Sequence, residues 1–167
     1  METELRPLTA DDWDVLREIR LRALSDSPEA FGGTLAQSLS QPEDFWRGRL
    51  SGPGITVVAV EASQTVAMGG AYVPDEGHAS VWGMWTDPES RGRGVGSLVL
   101  DHLLAWCRPR GLAVELRVVE GNPLARGLYT SRGFRPTGER ELLREGCETY
   151  AEVLVLEHPD QQQHGKT

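Results

Sequence analysis

At 167 residues the chain has room for one core, since domains run to about 150 residues. Hydrophobic residues make up 39% and charged residues 25%, with 19 Gly, 10 Pro and two Cys, which excludes disordered, collagenous and disulfide-scaffold classes. Acidic residues outnumber basic ones 25 to 17, for a net charge of −8. That is the wrong sign for a nucleic-acid partner, and no apolar run reaches the roughly 20 residues of a membrane span.

The expected organisation is a single domain over residues 1–157 and a polar tail over 158–167. The opening METELRPLTADDWD is acidic and has no basic stretch followed by an apolar one, so the expected location is cytoplasmic. Cys107 and Cys147 stand apart, and no CxxC or His-rich cluster points to a metal. Sixteen of the 17 basic residues are arginine, and the single lysine is Lys166. Any internal anion site must therefore be built from arginine and backbone N–H groups.

In chain order, Glu4–Leu8 reads as a short strand. Thr9 and Asp12 then form an acidic capping box for a helix carrying Trp13, Leu16, Ile19 or Arg20, and Ala23–Leu24 on its apolar stripe. Ser25-Asp26-Ser27-Pro28 stops it. Ser40-Gln41-Pro42-Glu43 predicts a second helix start, with Phe45, Trp46 and Leu50 as its stripe and Gly52-Pro53-Gly54 as its end. Ile55–Glu61, Thr65–Val73 and His78–Thr86 are β-rich runs with connections too short for a parallel crossover, so they predict an antiparallel meander.

After Pro88 helices and strands alternate. Val95, Leu98–Val99, Leu103 and Trp106–Cys107 have helical spacing, Ala113–Val119 reads as a strand, and Asn122-Pro123 caps a further helix through Leu128 and Tyr129 to Gly133. A loop around Gly138–Gly146 precedes a last strand at Thr149–Leu156. The fold class that follows is α/β (α+β), a mixed sheet covered by helices.

One segment carries chemistry. Arg91-Gly92-Arg93-Gly94-Val95-Gly96-Ser97 joins a strand to a helix, with glycines at alternate positions. Such a loop lets backbone N–H groups converge on a ligand at the positive end of the helix dipole, which describes a pyrophosphate cradle. A glycine-rich turn with solvated arginines is the competing reading. A Walker loop fails for want of a lysine. Gly92-x-Gly94-x-x-Ser97 approaches a dinucleotide fingerprint with Glu115 as the ribose contact, but too little chain follows for a doubly wound sheet.

Arg91-x-x-Gly94-x-Gly96 resembles the (Gln/Arg)-x-x-Gly-x-(Gly/Ala) signature of the GNAT superfamily of N-acetyltransferases. Asn122, Ala125, Leu128-Tyr129 and Gly133-Phe134 resemble that family's second motif, and the order of elements matches along nearly the whole chain. The resemblance implies a mostly antiparallel sheet of about six or seven strands with helices on both faces. It also implies acetyl-CoA as co-substrate, no metal, and direct acetyl transfer to an amine of a small molecule or protein N-terminus. A homodimer is a further partner the family admits.

It assigns roles as well. The backbone of Trp85 and Thr86 would pair with the pantetheine, and Arg91, Gly92, Arg93, Gly94, Val95, Gly96 and Ser97 would hold the pyrophosphate. Asn122 and Tyr129 would border the cofactor, with Tyr129 as general acid for the departing thiolate or else a core aromatic. The strand Val81–Trp85 carries no acid; Glu120 is a candidate base or a solvated loop carboxylate, Asp87 and Glu115 are weaker candidates, His78 reads as a turn residue, and deprotonation through ordered water or in bulk solvent is the alternative. Phe31, Trp46 and Trp82 are candidate acceptor contacts that could equally be core. The acidic total would favour a cationic acceptor. A catalytically silent acyl-CoA-binding regulatory module is the alternative function.

Overall fold

β-Rich runs separated by two-residue turns can only fold back on themselves. The computed structural model, which describes residues 2–157, has that meander as β2 (Gly54–Glu61), β3 (Gln64–Asp75) and β4 (His78–Thr86). Ala62 and Ser63 connect β2 to β3 with positive φ at both positions, as a two-residue hairpin turn demands. With β1 (Glu4–Pro7), β5 (Ala113–Val119), β6 (Arg135–Leu142) and β7 (Tyr150–Leu156) they form one seven-stranded sheet in the order β1-β2-β3-β4-β5-β7-β6. Only β4 and β5 are parallel neighbours; the other pairings are antiparallel. The tail expected at 158–167 lies outside the described residues.

The helices divide between the two faces. α1 (Trp13–Asp26), the short α2 (Leu35–Leu39) and α3 (Glu43–Ser51) share a core with Val58, Met68 and Trp85. α4 (Val95–Cys107) and α5 (Pro123–Ser131) pack on the other face against Val57, Ala59, Val114, Leu116 and Val118. β2 has Thr56–Ala59 all buried, because both of its faces are covered. Gly69 is required where α4 crosses β3, since a Cβ there would come within 2.9 Å of Val99 Cγ1. No described helix is long and apolar enough to cross a membrane.

Two expected boundaries move. α3 is capped by Pro42 rather than Ser40, whose hydroxyl instead bonds the Gln37 carbonyl and closes α2. Gly138 belongs to β6, so the loop before the last strand is shorter than Gly138–Gly146. Every residue of β6 is exposed, and its register shifts between Pro136 and Arg140. An edge strand tolerates proline and a glycine bulge that a central strand would not.

Candidate active site

The parallel pairing of β4 and β5 stops early. His78–Ser80 face Ala113–Glu115, and beyond Ser80 the rest of β4 has no strand on that side. The cause lies in β4 itself. Between the pairs Gly70–Trp82 and Met68–Trp85 it uses one more residue than β3, and Gly83 there has φ +67°. A bulge of this kind bends a strand away from its neighbour, and glycine supplies the conformation without strain. The strands part into a slot of about 90 Å³, walled by Val81–Met84 of β4, Leu116–Val119 of β5, and Asn122, Ala125 and Tyr129 of α5. Its β4 wall is a sheet edge inside the protein, which can take up an extended chain.

β4 runs on past the slot to Thr86, whose Oγ1 would lie 3.2 Å from a Cβ at Gly96 in the first turn of α4. Gly92 and Gly94 both have φ +80°, and a Cβ at either would meet nothing within 4 Å, so the loop is open on that side. The first intrahelical bond runs from Leu98 N–H to the Gly94 carbonyl at 3.1 Å. Helix geometry therefore leaves the N–H groups of Val95, Gly96 and Ser97 without intrahelical acceptors, at the positive end of a 13-residue helix. Three adjacent donors with open space before them suit a pyrophosphate.

The two loop arginines are differently employed from the sequence expectation. Arg91 bonds Asp26 at 2.7 Å and the Thr86 carbonyl at 2.9 Å. Arg93 forks onto Glu61 at 2.8 and 3.0 Å, and Glu61 is only 3% exposed. The Arg93 guanidinium holds the Glu61 carboxyl below its usual range. Both arginines tie the loop down, so the loop's own attraction for an anion rests on backbone donors. Trp85 turns its ring away from the slot into the α1–α3 core and donates Nε1–H to Asp26 at 3.0 Å.

Tyr129 lies in the slot wall, 7% exposed, its ring edge-on to Phe134 at 6.0 Å between centroids. Burial pushes its phenol up to about 12, so it keeps its proton at neutral pH. Asn122 also lines the slot, with its Oδ1 accepting from Ala125 N–H at 3.3 Å as the α5 cap. Glu120 stands outside this lining and is bound through both carboxylate oxygens by Arg140, which lowers its pKa. A depressed, doubly bonded carboxylate away from the slot makes a poor base. Asp87 is likewise engaged, by Arg22 at 2.8 Å.

On the α1–α3 side a second cavity of about 230 Å³ adjoins the slot, with Trp82 as a wall common to both. Trp82 can lie there because Gly70 opposite has no side chain; a Cβ would sit 2.5 Å from its indole. The cavity takes Leu16 and Arg20 from α1, Gln37 and Ser38 from α2, and Trp46 and Arg49 from α3. Phe31 lines the slot instead, beneath the Arg20 guanidinium at 4.7 Å. Arg20 and Arg49 were not evident as site residues in the sequence. The available signal was an arginine on each apolar stripe, Arg20 beside Ile19 and Arg49 four residues after Phe45. The lining has two cations and no acid, opposite in sign to the chain as a whole.

The sequence model of the acetyltransferase (GNAT) family matches residues 13–134. A mycothiol acetyltransferase from Beutenbergia cavernae is 40% identical over 65 residues, which are 38% of this chain and 22% of that protein; the match spans about a fifth of the relative's length. Among solved structures, a GNAT-family acetyltransferase from Streptococcus pneumoniae superposes with a TM-score of 0.75 at 18% identity, over 93% of this chain and 99% of the other. The yncA protein of Salmonella typhimurium, solved with its cofactor acetyl-CoA, gives 0.74 at 15% identity over 94% of each chain. At these identities the structures speak for the fold.

Proposed function

Because the chain belongs to the GNAT acetyltransferase family, we propose that it transfers an acetyl group from acetyl-CoA directly to a primary amine. The observation that carries this reading is the slot. An opening runs between β4 and β5, the exposed N-terminus of α4 follows where β4 ends, and a tyrosine that keeps its proton stands in the slot wall. The N–H groups of Val95, Gly96 and Ser97 bind the pyrophosphate, and Arg91 and Arg93 hold their loop in shape. The open edge of β4 from Val81 to Thr86 aligns the pantetheine as an added strand would.

Acetyl-CoA supplies the acyl group as a thioester. The unprotonated amine forms the C–N bond as the C–S bond breaks, and the Tyr129 hydroxyl gives its proton to the departing sulfur and regains one from water. Neither lining contains an Asp or Glu, so the amine's own proton passes to water. In this reading the negative oxygen that develops at the acyl carbon is stabilised by backbone N–H at the β4 bulge around Gly83. The protein operates without a metal and in the cytoplasm.

A thiol-release assay against a panel of amines, with mass detection of the amide product, tests the reading. Release with N-acetylated product is expected. Acetyl-CoA binding with no release from any amine would favour a silent acyl-CoA-binding module.

A further inference from the structure

Two buried side-chain atoms have no hydrogen-bond partner among the described residues, Arg20 Nη1 and Trp46 Nε1. Both residues line the cavity beside the slot, and both atoms are donors. A third donor, Arg49, borders the same cavity, its guanidinium carbon 4.5 Å from the Trp82 ring centroid. Among the described residues no acid lines this cavity. The charge that Arg20 feels is that of Arg49, and desolvation together with that repulsion pushes it down to about 10. Many of the other arginines close onto acids, as in Arg22–Asp87, Arg126–Glu152 and Arg132–Asp101. A buried donor left open costs stability, and a ligand with acceptor oxygens would remove that cost.

We propose that this cavity is an anion subsite for the acceptor. The amine that is acetylated carries a carboxylate, which accepts hydrogen bonds from Arg20 and Trp46 Nε1 and faces the charge of Arg49. The proposal rests on reading the slot as the acetyl-CoA site. Guanidinium groups bind carboxylates in pairs of parallel bonds, and the fixed donor fork matches the planar anion.

Size and distance narrow the acceptor further. A Cβ at Gly83 would lie 3.7 Å from Arg20 Nη1, and Gly83 lines the slot where acyl transfer would occur. The anion and the reacting nitrogen are then only a few bonds apart. The cavity, at about 230 Å³, falls below the roughly 300–1,000 Å³ of drug-sized pockets, and Leu16, Phe45 and Trp82 give it apolar walls. A small amino acid with a hydrocarbon side chain meets these terms. A protein N-terminus, whose nearest carboxylate is set by sequence, does not meet them generally.

The test uses the full chain with acetyl-CoA and matched acceptors, L-amino acids beside their primary amides and the corresponding aminoalkyl phosphonates. Amino acids are expected to exceed their amides in kcat/KM by about 10- to 100-fold, the scale of a charge-assisted pair. In Arg20→Gln that ratio is expected to collapse toward one, mainly through KM. Arg49→Gln, at an exposed position, should lower it in the same direction and guards against a folding artefact.

Calorimetric titration of N-acetyl amino acids and N-acetyl amino amides reads the same preference without turnover. Equal affinity for acid and amide in the wild type, or equal loss of both in Arg20→Gln, would overturn the subsite. A preference for phosphonates over carboxylates would overturn it as a carboxylate site. Arg20-dependent binding of acids with no amine acetylated leaves the subsite standing and removes the transfer reading. Acetylation indifferent to the carboxylate does the reverse.

Discussion

Around the start of α4, Arg91 and Arg93 each close onto an acid, whereas across the sheet Arg20 and Arg49 face a cavity lined by none. The residue type is the same and the consequence is different. A paired guanidinium has used its fork, so it fixes the path of a loop and leaves binding to the backbone donors that the loop presents. A guanidinium with no acid beside it among the described residues, partly buried next to an unpartnered indole N–H, is what the proposed anion subsite would use. One region is thus shaped by its charges, and the other is unfinished without a ligand.

That division breaks first if the chemistry is sited elsewhere. Tyr129→Phe removes only the hydroxyl from the slot wall between the two regions. It is expected to slow single-turnover acetyl transfer by about 10²- to 10⁴-fold, with acetyl-CoA affinity nearly intact. Wild-type single-turnover rates would return Tyr129 to a packing role.

A stability comparison sharpens the contrast, because the two kinds of arginine should respond with opposite sign. Arg20→Met keeps the hydrocarbon stem and removes an uncompensated charge. It should raise stability by about 1 kcal/mol, a Tm gain of about 2–4 °C at this chain length. Glu61→Gln on the other side leaves Arg93 without its anion and should lower Tm. Thermal melts of both variants check the pair, and a loss of Tm in both would mean that Arg20 is a structural residue.

The smallest expected effect is a pH dependence. Glu61 has a folded pKa below the usual 4.5. Its contribution is therefore fully present above about 4.5 and is lost as pH falls through the lower folded value. The Tm difference between wild type and Glu61→Gln should shrink between about pH 6 and about pH 3. A difference constant over that range would show that the carboxylate charge is not what Arg93 reads.

The region shaped by its charges was the legible one. Alternate glycines, a helix start and the Asn122-Pro123 cap are local patterns, and the meander of β2 to β4 followed from connections too short to cross over. What those residues are bonded to was not local. Arg93 and Glu61 are 32 positions apart and Arg91 and Asp26 are 65, so both arginines read as free charges. Glu120 read as a base from its place beside Asn122, and only the fold brings Arg140 against it. β6 had a place in the expected order of elements but no bounds, because proline, glycine and a mostly polar run look like loop when neither face is buried. Arg20 was the hardest case. It shares a stripe with Ile19, and what matters about it is a missing partner, which sequence spacing does not encode.

The division of labour between the two regions is tested most directly by a crossed titration. Acetyl-CoA and an N-acetyl amino acid are each titrated calorimetrically into wild type, Gly94→Val and Arg20→Gln. Gly94 has φ +80° beside open space, so a branched side chain there strains the loop and, if the proposed cofactor site is right, fills the path of the phosphates. Gly94→Val should weaken acetyl-CoA at least about tenfold and spare the carboxylate ligand, and Arg20→Gln should do the opposite. If both variants weakened the same ligand, or if Arg20→Gln weakened acetyl-CoA and spared the acid, the two regions would not have the separate roles assigned to them.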